Sequence, residues 1–128
     1  MSDETKMPHG AIAWIDLTVS NAVVVRDFYK EVVGWDHAGC DMGGYEDFNM
    51  MPGGTETPVA GVCHAVGSNE GMPASWMIYI TVPDVDAAAA KCVELGGEIV
   101  REPKGDSARF CVIRDPAGAV CALFETKD

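Results

Sequence analysis

From residue 12 to residue 19 apolar and mixed positions alternate: Ile15, Leu17 and Val19 point to one side, and Trp14, Asp16 and Thr18 to the other. That is the period of a strand whose two faces meet different surroundings. Ser20 or Asn21 then stands before a segment, residues 22–33, in which Val24, Phe28 and Val32 recur every four positions and after which Gly34 follows. The spacing predicts a capped amphipathic helix ended by glycine, its stripe covering the aliphatic face of the first strand. Three short strands are expected next, over 35–42, 45–50 and 58–66, separated by Gly43-Gly44 and by the turn Pro52-Gly53-Gly54-Thr55.

The second half repeats the plan. Ile15, Leu17, Thr18 and Val19 align with Ile78, Ile80, Thr81 and Val82 at a constant offset of 63 positions, and the same offset brings Asn21 to Asp84, Glu31 to Glu94 and Gly34 to Gly97. A strand over 76–82, an alanine-rich helix over 85–95 capped by Asp84, and strands over 98–102, 108–114 and 119–125 complete it. The fold class read from this is α+β, with two βαβββ modules, about 10–66 and 74–126, in a single domain over 1–128. The linker 67–73 joins the modules, and a period this long with only two copies argues against a stacked solenoid.

Composition narrows the function classes. With twenty Asp and Glu against nine Lys and Arg, a net charge of −11 opposes binding to nucleic acid or to an anionic membrane, and 48% apolar residues are enough for an ordinary core. The same charge would attract a cationic small molecule. No run reaches membrane-span length, and the polar, acidic start is unlike a secretory leader, so a cytoplasmic location is expected. Cys40, Cys63, Cys92, Cys111 and Cys121 form no Cys-x-x-Cys pair and read as small core residues of a reducing compartment.

Phe28-Tyr29 followed by Gly34-Trp35, the helix start Val82-x-Asp84-Val85-Asp86 with Glu94-Leu95-Gly96-Gly97, and Asp115-Pro116-Ala117-Gly118 before the last strand resemble the vicinal oxygen chelate superfamily. That group contains glyoxalase I, bleomycin-resistance proteins and extradiol dioxygenases. The resemblance implies paired βαβββ modules forming an incomplete barrel around a cavity. In the metal-dependent members it further implies histidine, glutamine or glutamate ligands at positions that correspond here to Trp14, Met77, Ala122 and the neighbourhood of Ala60. None of these side chains suits an oxygen-polarising divalent ion, so neither metal nor other cofactor is expected.

Asp16 shares its face with Trp14, and its repeat partner Tyr79 shares one with Met77. Trp14, Asp16, Phe48, Met77 and Tyr79 are therefore the expected ligand-binding residues, the carboxylate anchoring a cationic or hydroxylated group and the rings offering flat apolar surface. Asp16 has structural alternatives: capping a loop, pairing with Arg26 or Arg109, or bonding Tyr79. No nucleophile motif is present, and no two of His9, His37 and His64 have metal-ligand spacing. The first expectation is a metal-free small-molecule binder of the bleomycin-resistance type, forming a homodimer. The others are a lyase, isomerase or dioxygenase-type enzyme of the same superfamily, and a structural or regulatory dimer module.

Overall fold

The computed structural model describes residues 8–126. The described residues form two compact α+β units, one of residues 15–76 and the other of residues 77–126 together with 8–14. Strand β1 (Ile12–Val19) contributes to both, and is followed by α1 (Ala22–Val33), β2 (Asp36–Asp41), β3 (Glu46–Met51) and β4 (Ala60–His64). Then come β5 (Trp76–Val82), α2 (Val85–Glu94), β6 (Glu98–Lys104), β7 (Phe110–Arg114) and β8 (Val120–Glu125). Both expected βαβββ modules are present. Among the described residues no helix is long and apolar enough to cross a membrane.

Within the first unit the strand order is β2-β3-β4-β1, with β1 parallel to β4 and the other pairs antiparallel. Within the second it is β5-β8-β7-β6, with β5 parallel to β8. The duplicated sequence thus yields duplicated pairing. Thr81, fully buried, accepts at Oγ1 from Ala11 N (3.1 Å) and donates from it to the carbonyl of Pro8 (2.8 Å), which ties residues 8–11 to β5. A buried hydroxyl is stable there because both its roles are filled.

The first helix corrects one expectation. Val24, Phe28 and Val32 are 64%, 55% and 59% exposed, whereas Ala22 is fully buried in a cluster with Phe48, Met50 and Val62, against which Val25 packs. Turning the helix this way places Tyr29 beside Trp35 and Trp76, with ring centroids 5.7 and 5.3 Å away, and Trp76 Nε1 donates to the Tyr29 hydroxyl at 3.1 Å. An aromatic trio, joined by the Trp76–Tyr29 hydrogen bond, fills more space than three aliphatic side chains would, and it decides which face goes inward. Asn21 holds the N-cap position without a side-chain cap bond, while Gly34 ends the helix in the left-handed region at φ 77°.

The second helix behaves as expected. Asp84 accepts from the Ala87 amide at 3.0 Å, satisfying one of the open N-terminal donors. Val85 and Ala89 are buried against Cys111 and Leu123, and small alanines let the helix lie close to its sheet. Beyond it, a β-carbon at Gly97 would stand 2.5 Å from Cys92 Sγ and 2.9 Å from the Arg114 carbonyl, so this return needs glycine.

Candidate ligand-binding faces

In each unit the four strands have one face under the helix and one turned away. In the first unit Val62, Phe48 and Met50 lie under α1. Asp16 pairs with Gly61, Gly61 with Asn49, and Asn49 with Ala38, which makes Asp16–Gly61–Asn49–Ala38 one row across the opposite face. Phe48 pairs with Val62, the neighbour of Gly61, so it is set on the helix side and apart from Asp16. Its ring instead carries the Arg26 guanidinium 4.7 Å from the centroid and has His37 and His64 at 5.7 and 6.0 Å. A cation over an aromatic face is a favourable packing contact in itself.

Two residues beyond Gly61, Cys63 faces Thr18 and lies close to Asp16 and Asp47. Burial above all, then the charges of Asp16 and Asp47 and a hydrogen bond to Asp47, push its thiol well above the ordinary thiol range. Cys63 is thereby held protonated and is a poor nucleophile. Asp47 is 6% exposed and its Oδ1 accepts from the His64 amide (2.8 Å) and lies 3.3 Å from His64 Nδ1. An ionised carboxylate only accepts, so it selects the tautomer with the proton on Nδ1 and leaves Nε2 as an acceptor. The Tyr45 ring flanks the imidazole at 5.5 Å. The sequence shows nothing of this pair beyond a charged residue inside an apolar strand, because its members are 17 residues apart and meet only through the β3–β4 pairing.

In the second unit the corresponding row is Tyr79–Ala122–Val112–Arg101. Ala122 and Val112 are fully buried, and the Tyr79 and Phe110 rings approach to 5.9 Å at 51°, crossing the strand that carries Ala122. Phe124 pairs with both Phe110 and Thr81 in the next row, and Met77 is 5% exposed. This face is aromatic with a small-residue floor. Trp14, in the same unit, is half-buried on β1. Of the expected ligand residues, Met77 and Tyr79 thus share a strand, Asp16 lies in the other unit, and Phe48 packs under α1.

The pairing also refines the comparison with metal-binding relatives of this architecture. Because Tyr79 pairs with Ala122 and Asp16 with Gly61, the counterpart of Ala122 is Gly61 and not Ala60, which is buried beside Met50 on the helix side. Indole, thioether, methyl and a bare α-carbon at Trp14, Met77, Ala122 and Gly61 supply no oxygen or imidazole donor, so these positions do not fit a divalent ion. Among the described residues no three His, Cys, Asp or Glu side chains gather to hold one elsewhere.

A family model described as "Glyoxalase-like domain" matches residues 14–124. The chain belongs to the glyoxalase-like domain family. It is 32% identical to the Mycobacterium bovis protein named "Putative glyoxylase CFP32", over 98% of this chain and 49% of that relative. It is 29% identical to the "Anthracycline biosynthesis protein DnrV" of Streptomyces peucetius, over 94% of this chain and 48% of that one. The chain therefore spans about half the length of the curated relatives it matches. Methylmalonyl-CoA epimerase from Mycobacterium tuberculosis superposes with a TM-score of 0.54 at 15% identity, covering 97% of this chain and 95% of that one. That likeness is one of fold, that of the vicinal oxygen chelate superfamily, and fold by itself assigns no chemistry.

Proposed function

We propose that this glyoxalase-like chain binds a flat small organic molecule, without a metal ion, on the face formed by Met77, Tyr79, Phe110 and Phe124. The observation that carries the reading is the Tyr79–Phe110 ring contact spanning the buried Ala122 and Val112 floor. Rings held at fixed angles over small residues offer rigid apolar area with little side-chain entropy to lose on binding. The metal-free part is supported by the donor-poor side chains at Trp14, Met77, Ala122 and Gly61. A thermal-shift panel of planar and non-planar metabolites, with elemental analysis of the same sample, tests it. Planar compounds should raise the melting temperature, and Tyr79→Ala should remove most of the rise, taken relative to the variant's own ligand-free value. A stoichiometric metal, or stabilisation unaffected by Tyr79→Ala, would sink the reading.

A second reading, a lyase or isomerase working by proton transfer, is favoured by the Asp47–His64 pair, which leaves Nε2 open as an acceptor in the manner of a general base. Its check is His64→Gln in a turnover screen against α-protic carbonyl compounds. Loss of turnover with unchanged stability supports it, and full turnover in the variant removes it.

A further inference from the structure

The aromatic face of the second unit is bordered on β6 by two basic residues, and the strand is bent to place them there. Ile99 pairs with Ile113 and packs toward α2, so regular alternation would turn Arg101 to that same side. Instead the register shifts between Ile99 and Arg101, bringing Arg101 opposite Val112, and shifts again before Lys104, which stands opposite Phe110. Val112 and Phe110 belong to the Tyr79 row and the adjoining aromatic row. Two irregularities in one seven-residue edge strand thus re-aim both cations to one face. Bulges commonly serve to re-aim a side chain in this way.

We infer that the flat ligand of this face is an acid, its rings lying along Tyr79 and Phe110 and its carboxylate or other anionic oxygen meeting Arg101, with Lys104 at the entrance. This deepens the binding reading given above and rests on it. Tyr79 and Arg101 stand at the two ends of a four-strand row, three interstrand steps apart, or roughly 14 Å between backbones. That span matches two or three fused rings ending in a carboxylate. A guanidinium fork pairs with a carboxylate through two parallel hydrogen bonds, which selects for an acid over its isosteric amide. A net charge of −11 makes local basic residues the more selective, since the rest of the surface repels the same ligand at long range. The acid is thus expected to bind at a modest on-rate that rises with ionic strength.

Isothermal titration of the full chain with anthraquinone-2-carboxylate, its carboxamide and 2-(aminomethyl)anthraquinone tests this. The carboxylate should bind at least about tenfold more tightly than the carboxamide, and the amine most weakly, the preference being a charge-assisted hydrogen bond gained or lost. Arg101→Gln, which keeps a polar side chain but removes the charge, should bring acid and amide to within about twofold of each other, the acid losing more affinity than the amide. If Arg101→Gln does not fold, Lys104→Ala, at an exposed position, should still narrow the gap between acid and amide. Equal or inverted affinities in the parent chain, or a preference that survives in every folded variant of these two residues, would overturn the inference while leaving the flat-ligand reading standing. Failure of all three compounds to bind would overturn both.

Discussion

The four-strand sets of the two units carry the same row with opposite chemistry. Asp16, Gly61, Asn49 and Ala38 cross one, and Tyr79, Ala122, Val112 and Arg101 cross the other in matching order. Duplication kept the backbone pairing, which depends on hydrogen bonds that any residue can make. It left the side chains free to diverge, so one row became small and polar with a carboxylate at its end, and the other apolar with an aromatic and a cation. A shared strand plan is therefore no guide to shared chemistry. Asp16 and Arg101 are located by tracing each row, not by copying one onto the other.

The sharpest way to break the comparison is to exchange a middle residue. Val112→Asn, which writes the first row's residue into the second, puts an amide on a floor with no solvent exposure. It should cost about 3–5 kcal/mol, the sum of lost apolar transfer and an amide without partners. The reverse change, Asn49→Val, should stay within about 1 kcal/mol because Asn49 is only half-buried. Urea denaturation of both variants measures this, and equal losses would mean that the two rows are alike after all.

A smaller effect separates the thiols of the two units by pH. Burial chiefly, aided by Cys92 and Cys121, pushes the Cys111 thiol from an ordinary 9.0 up to about 11, and Cys63 is raised by burial and by Asp16 and Asp47. Well below pH 9 both thiols are protonated in the folded and unfolded chain, so their contribution is fully present. As pH rises past that point the unfolded chain ionises them first, and stability should fall by up to about 1.4 kcal/mol per pH unit for each thiol. The Cys111 share should level off above about 11, when the folded thiol ionises too. Cys111→Ala should make the decline shallower between pH 9 and 11, and Cys63, held by two carboxylates, should keep the remaining slope beyond it. An identical pH profile in Cys111→Ala would show that this thiol is not shifted.

The smallest effect is expected at the outer face of α1. Phe28→Ser removes a large apolar side chain that is 55% exposed, and should change the unfolding free energy by no more than about 0.5 kcal/mol. Val25→Ala on the inner face should cost more. A loss of 2 kcal/mol or more for Phe28→Ser would mean that the stripe is covered after all.

Much of the architecture was legible without coordinates. Alternation at 12–19 and 76–82, Asp84 as a cap, Gly34 as a helix end and the offset of 63 are local signals, and β1, α1 and β5 match the expected bounds. Of the last strands, β7 and β8 start later than expected, at Phe110 and Val120, whereas β6, the strand that holds the register shifts, runs on past the expected 102 to Lys104. The candidate face was legible only in part. Tyr79 and Met77 could be placed on one face by counting, whereas Phe48 could not, since its side depends on which strand lies beside it.

Local periodicity therefore determined which segments are helices and strands, and that the plan occurs twice, because a residue's preference for extended or helical backbone and for one side of it is expressed within a few neighbours. Only the tertiary structure decided which side of α1 turns inward, that Asp47 meets His64, and that β6 is shifted twice to bring Arg101 opposite Val112. Those choices come from packing volume and cross-strand register between residues far apart in the chain, and no periodicity along a single strand records them.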